Sequence, residues 1–70
     1  MEQISFALTG EFIELFKLLK ATGLCDSGGM AKAAVSQSEV KVDGCLETRK
    51  GCKIRKGQRV EYCGETIVVV

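Results

Sequence analysis

The sequence of 70 residues contains no histidine, no proline and no tryptophan, and aromatic side chains make up only 6% of it. Without histidine, the chain lacks the commonest general base near neutral pH and the usual partner of a serine or cysteine nucleophile. With so few aromatic residues, aliphatic side chains must build the core, for which a hydrophobic content of 46% is typical of a globular protein. We therefore expect one small folded domain, residues 1–70, without enzymatic activity.

The sequence also lacks long apolar runs and closely spaced metal ligands. No run approaches the roughly 18 residues that span a bilayer, and the N-terminus lacks the basic and apolar regions of a secretory signal. The cysteines include no Cys-x-x-Cys pair, so a zinc site would lack its usual chelating loops: Cys25, Cys45, Cys52 and Cys63. These features predict a cytoplasmic protein with free thiols, no metal or other cofactor, no membrane partner and no small-molecule substrate.

Charge is unevenly distributed, although the formal net charge is only +1. Residues 1–31 carry two basic and four acidic side chains, whereas residues 32–70 carry eight basic and five acidic ones. Six basic residues fall in one window without any acid: Arg49, Lys50, Lys53, Arg55, Lys56 and Arg59. Arginine binds phosphate in a bidentate manner and lysine acts as a mobile point charge, so this window is a candidate phosphate-binding surface. The alternative is a solvated, turn-rich surface without a partner.

No aromatic residue is interleaved in that window, and Tyr62 is the sole tyrosine of the chain. Base stacking on single strands depends on aromatic side chains within the basic groove. The window therefore favours structured RNA, recognised through its shape and backbone, over single-stranded RNA.

A strand pattern and then a helix pattern open the chain. Apolar side chains alternate with polar or small ones at Ile4, Phe6 and Leu8, which predicts a short half-buried strand. From residue 11 to about residue 22, apolar residues recur at i, i+3, i+4 and i+7, which predicts an amphipathic helix with acids in its first turns and bases in its later ones. Its apolar stripe consists of Phe12, Leu15, Phe16 and Leu19, its acids are Glu11 and Glu14, and its bases are Lys17 and Lys20.

A second helix and several short strands follow. Asp26 or Ser27 can cap a helix that runs through Val35, and its small alanines predict close packing on the first helix. Strands are expected at Val40 and Val42, on a return through Leu46 and Thr48 after the turn Asp43-Gly44, at Val60 and Tyr62, and at residues 67–70. The expected layout is β-α-α-β-β-β-β, an α+β fold with a short N-terminal strand, two packed helices, a β-hairpin and short C-terminal strands.

The segment Ser27-Gly28-Gly29 opens the second helix. Glycines at a helix start leave amide hydrogens unshielded, so a phosphate can approach the positive end of the helix dipole. Lys32 follows Gly28 by four residues, which places its ammonium group one turn further along the same face. The segment predicts a phosphate contact. The alternative is a plain loop and helix cap, because the Walker and dinucleotide-binding patterns are absent.

Two motifs resemble, in order and spacing, the RNA-binding domain typified by bacterial ribosomal small-subunit protein four. They are Ser27-Gly28-Gly29-Met30-Ala31-Lys32 and Val40-Lys41-Val42-Asp43-Gly44. The small stand-alone form of that domain, the YbcJ-like bacterial proteins, is similar over nearly the whole chain, including residues 14–20 and 47–50. The resemblance implies the αL motif, in which two packed helices precede a β-hairpin.

The resemblance further implies a non-catalytic protein that binds structured RNA, with ribosomal RNA as the first candidate. The sequence leaves the oligomeric state open, and a monomer is favoured. It carries RNA contacts onto Ser27, Gly29, Lys32, Lys41, Arg49, Lys50 and Lys53. The arguments from the helix start and the basic window add Gly28, Arg55 and Lys56 to the predicted RNA-binding residues.

Three residues depart from the family pattern. Gly28 stands where an arginine is common, which removes one phosphate contact. Ser38 stands where a helix-ending glycine is usual, and left-handed geometry there would cost about 1 kcal/mol. Asp43 replaces an asparagine and adds a negative charge close to the predicted RNA surface. There it would affect the orientation of the bound RNA and would not itself bind.

Two other classes of protein are alternatives to an RNA-binding protein. A protein-interaction adaptor would use the helix pair or the terminal strand, with the basic window serving only solubility. A sulfur carrier would need a flexible Gly-Gly tail, whereas residues 67–70 read Ile-Val-Val-Val, which excludes it.

Overall fold

The computed structural model describes residues 3–70 as two helices and seven strands. In chain order these are β1 (Gln3–Phe6), β2 (Ile13–Glu14), α1 (Leu15–Ala21), α2 (Gly28–Ser36), β3 (Val40–Val42), β4 (Cys45–Leu46), β5 (Lys53–Ile54), β6 (Arg59–Tyr62) and β7 (Glu65–Val69). The predicted α+β class is confirmed, and β2 and β5 are additional to the predicted layout. Within residues 3–70, no helix has the length and apolar character needed to cross a membrane.

Five strands form one sheet in the order β1-β7-β6-β3-β4. β1 pairs with β7 in parallel, and the other pairings in this sheet are antiparallel. Both residues of the β3–β4 turn have a positive φ, at 52° for Asp43 and 84° for Gly44. Both residues of the β6–β7 turn, Cys63 and Gly64, also have a positive φ. Turns of this kind match the twist of antiparallel strands, so Asp43-Gly44 makes the predicted hairpin.

The core lies between the two helices and one face of the five-stranded sheet. The buried sheet residues are Val40, Val42, Val60, Tyr62, Ile67 and Val69, and the buried helix residues are Leu15, Leu18, Leu19, Ala31, Ala34 and Val35. The small alanines of α2 let it approach α1 closely, as predicted. Cys25 is 2% exposed and packs in this core, where its side chain acts as a small hydrophobic group.

Helix α1 is shorter than predicted. It begins at Leu15, because residues 13–14 are extended and pair with β5. Glu14 is the N-cap residue, with φ −69° and ψ 142°. The prediction that Glu11 and Glu14 occupy the first helical turns is therefore wrong. Phe12 likewise does not belong to the apolar stripe, since its side chain is exposed. Pairing with a strand distant in the sequence overrides the local helical spacing.

Other boundaries shift by a few residues. β1 ends at Phe6, and Leu8 is buried beyond it; β4 ends at Leu46, so Thr48 lies outside the strand; and β7 spans residues 65–69 instead of 67–70. At the end of α2, Ser38 has φ 61°, so this helix end adopts the left-handed conformation although the residue is not glycine. The fold therefore tolerates about 1 kcal/mol of backbone strain at that helix end.

Candidate nucleic-acid interface

Strands β2 and β5 form a separate two-stranded ribbon at the start of α1. Ile13 pairs with Ile54 and both pack toward the core, so the residues that alternate with them face outward. On this outer side, Nζ of Lys53 lies 4.9 Å and Cζ of Arg55 lies 5.9 Å from the centroid of the Phe12 ring. The ribbon thus places two cations against one exposed aromatic ring.

The loop at residues 50–52 caps the N-terminus of α1. The Leu15 amide donates to the Cys52 carbonyl at 2.8 Å, and the Phe16 amide donates to the Lys50 carbonyl at 3.2 Å. The first amides of a helix have no acceptor within the helix, so these bonds satisfy groups that would otherwise be unpaired. They also hold the basic segment around Lys50 against the helix pair.

Phe16 connects the second helix to the same surface. Its ring is half-buried against the core, with Nζ of Lys32 at 4.8 Å and Nζ of Lys17 at 6.0 Å from its centroid. Lys17 also pairs with the carboxylate of Glu14 at 3.0 Å. The two rings contact basic residues from α1, α2 and β5, and Lys50 lies in the capping loop that is bonded to α1. We call these residues the basic face: Lys17, Lys32, Lys50, Lys53 and Arg55.

Arg49 differs from the rest of the basic window because it has an acidic partner. The carboxylate of Glu47 accepts from Nε of Arg49 at 3.0 Å, from Nη2 at 3.2 Å and from the Arg49 amide at 3.0 Å. These bonds lower the pKa of Glu47 from 4.5 to about 2, and the bond with the Arg49 side chain makes the largest contribution. The window contains no acid in sequence, but in space Glu47 offsets the charge of Arg49. Only the remaining guanidinium hydrogens of Arg49 are available to a phosphate.

The start of α2 is open, as the predicted phosphate contact requires. Oγ of Ser27 accepts from the Met30 amide at 3.1 Å, which is the predicted helix cap. A Cβ atom built on Gly28 would meet nothing within 4 Å, and one on Gly29 would meet only Oγ of Ser27 at 4.0 Å. Packing therefore does not require glycine at either position, and the phosphate contact itself stays a prediction.

Asp43 has a structural role in the β3–β4 turn. Its Oδ1 accepts from the Arg59 amide at 3.0 Å, and its Oδ2 accepts from Nε2 of Gln58 at 3.1 Å. The bond from the Arg59 amide is the main reason that the pKa of Asp43 is lowered. The carboxylate thus joins this turn to the start of β6, and its predicted effect on RNA orientation stays a prediction.

Lys41 lies away from the basic face. It alternates with buried Val40 and Val42, so its side chain is on the sheet face that points away from the helices, opposite Glu61 of β6. Lys56 is exposed in the turn between β5 and β6, and its predicted RNA contact stays a prediction.

Three residues of this surface were not predicted as site residues: Phe12, Phe16 and Lys17. Both phenylalanines have the helical spacing of core residues, and Lys17 lies in the later part of the predicted helix, where the helix dipole favours a positive charge. The sequence therefore gave a structural reason for each of these residues and no indication of a role in binding. Only the pairing of β2 with β5 reveals that Phe12 faces outward.

The fold and this surface together define a small α+β domain with a basic face at the junction of its helices and a short ribbon. The chain matches the S4 domain family over residues 6–70, and it belongs to that family. It is 50% identical to YbcJ of Escherichia coli (strain K12) over 58 residues, which is 83% of each chain. The solution structure of YbcJ from E. coli reveals an αL motif involved in RNA binding. That structure matches all of this chain and 87% of its own, with a TM-score of 0.68 at 44% identity.

A tyrosine–tRNA ligase of Ralstonia nicotianae is 38% identical over 58 residues. The match covers 83% of this chain but only 15% of the ligase. The two proteins therefore share one small module, and the catalytic activity of the ligase does not follow from the likeness.

The lowered pKa of Glu47 predicts a specific loss of stability in acid. Because the folded pKa of about 2 lies below the ordinary value of 4.5, the contribution is fully present above about pH 4.5 and is lost as the pH falls toward 2. Urea unfolding at a series of pH values should show this decline. Glu47→Gln should be less stable than the parent near neutral pH, and the difference should shrink as the pH falls. A difference that is constant from pH 6 to pH 2 would contradict the assignment.

Proposed function

We propose that the chain is a non-catalytic RNA-binding protein that recognises structured RNA mainly through backbone phosphates, with ribosomal RNA as the first candidate. The observation that carries this proposal is the basic face, on which Lys32, Lys53 and Arg55 from separate segments are gathered against two aromatic rings. The αL motif of the E. coli relative, which is involved in RNA binding, supports the same function.

The charge of the basic face suits a polyanion. It carries five basic side chains; within residues 3–70, Lys17 forms an ion pair with Glu14, which also lies opposite Lys53 in the ribbon, and Lys32, Lys50 and Arg55 form none. Lysine and arginine that lie against an aromatic ring keep their charge while their carbon stems are covered, so less side-chain freedom remains to be lost on binding. Neutralising several phosphates releases counterions, which supplies most of the affinity for a nucleic-acid backbone.

An adaptor function has no comparable support. The terminal strand β7 lies between β1 and β6 within the sheet, so it offers no free edge to a partner strand. The inner sides of both helices pack on the core. An RNA partner also agrees with the predicted cytoplasmic location, where thiols such as those of exposed Cys45 and Cys63 stay reduced.

The salt dependence of binding tests the proposed function. Binding of a fluorescein-labelled hairpin from small-subunit ribosomal RNA, measured by anisotropy, should weaken with salt at a log–log slope of roughly −3 to −4, as about four phosphate contacts require. The triple substitution of Lys32, Lys50 and Lys53 by alanine should weaken binding about 10-fold or more and flatten the slope. Its thermal transition should change little, since exposed charges add little stability.

Lys20→Ala is the matched control, because Lys20 is exposed at the other end of α1. It should bind almost as the parent does. A flat salt response would contradict the proposal. So would an equal loss of affinity in Lys20→Ala and in the single alanine substitutions of Lys32, Lys50 and Lys53. Lys41→Ala and Lys56→Ala show whether the contacts extend beyond the basic face.

Gly28→Arg should strengthen binding. The substitution restores the basic residue common in the family, and a Cβ atom at Gly28 would meet nothing within 4 Å. We expect affinity for the same hairpin to rise about 3-fold or more at low salt. Gln37→Arg adds the same charge at the other end of α2 and should give a smaller gain. Equal gains from both variants would show that net charge, and not the helix start, is responsible.

A further inference from the structure

Phe12 is a large aromatic side chain that the fold leaves in solvent. It is 39% exposed, whereas Phe6 and Phe16 pack against the core. The ring is therefore only partly covered by the fold and keeps surface that a ligand can contact. The cations of Lys53 and Arg55 lie over it at 4.9 Å and 5.9 Å from its centroid.

The backbone around Phe12 is held in place. Ile13 and Ile54 are paired in the ribbon, and the amide of Leu15 is bonded to Cys52 just beyond it. The main chain just after Phe12 is therefore tied to β5 and to the loop at residues 50–52. An aromatic residue next to a backbone held in this way can receive a flat ligand at a reduced entropic cost.

The chemistry of this position suits a nucleobase. An aromatic ring stacks on the face of any base, while Lys53 and Arg55 beside it can hold the phosphates on either side of that base. A base within a continuous duplex has both faces covered by its neighbours. Only an unpaired base, at a bulge, loop or helix end, presents a face to the ring.

We infer that Phe12 is a base-stacking residue and that the preferred ligand is a paired RNA stem carrying an unpaired base. This inference rests on the proposed function and deepens it. The sequence predicted little base stacking because the basic window contains no aromatic residue. The ring instead comes from a distant segment, through the pairing of β2 with β5.

Two hairpin RNAs that share the same loop test the inference, one with a fully paired stem and one with a single unpaired 2-aminopurine in its stem. The parent protein should bind the bulged hairpin about 5-fold or more tightly, as stacking of one base implies. Binding should also quench the 2-aminopurine fluorescence. Phe12→Ala should abolish both the preference and the quenching, and Phe12→Trp should retain both.

Leu46→Ala is the matched control, since Leu46 is another exposed hydrophobic residue, at 60%, on β4. It should leave the preference for the bulged hairpin unchanged. Equal binding of the two hairpins, or quenching that survives in Phe12→Ala, would overturn the stacking role and leave the proposed function standing. Absence of binding to either hairpin at low salt would overturn both.

Discussion

Helix α1 begins by donating its first amide hydrogens to the loop at residues 50–52, and the basic face depends on this contact. The bonds from Leu15 to Cys52 and from Phe16 to Lys50 satisfy the helix end and at the same time fix the position of the basic segment. The neighbouring pairs of the ribbon, Ile13 with Ile54 and Glu14 with Lys53, extend the same attachment. Without it, the basic segment would be a loop with no defined relation to the helices.

The two aromatic rings then determine where the charges lie. Phe16 packs against the core with Lys32 of α2 over its ring, whereas Phe12 stays exposed with Lys53 and Arg55 over its ring. Glu47 offsets the charge of Arg49, whereas Asp43 accepts from the main-chain amide of Arg59. Basic residues from three segments of the chain thus lie together at the ribbon and the helix start. Such a concentration favours a phosphate backbone more than the net charge of +1 indicates.

Local chemistry made part of this structure predictable from the sequence. The Ser27 cap, the Asp43-Gly44 turn and the alternation at Val40 and Val42 each depend on neighbouring residues, and all were found where expected. The ribbon was not predictable, because β2 has only two residues and its partner Ile54 is far along the chain. For the same reason the outward position of Phe12 was missed, since its spacing also fits a helix. The basic window was evident from the sequence, but the ion pair that offsets the charge of Arg49 was not, because its partner Glu47 lies just outside the window.

The proposed function requires that RNA bind the basic face and not the opposite side of the sheet. This can be tested by following the amide chemical shifts of the labelled protein by NMR during titration with the ribosomal RNA hairpin. The largest changes should fall at residues 12–17, at Lys32 and at residues 49–55, with small changes around Lys41 and Leu46 on the far side of the sheet. Changes concentrated around Lys41 and Leu46, with residues 12–17 and 49–55 unaffected, would contradict the account.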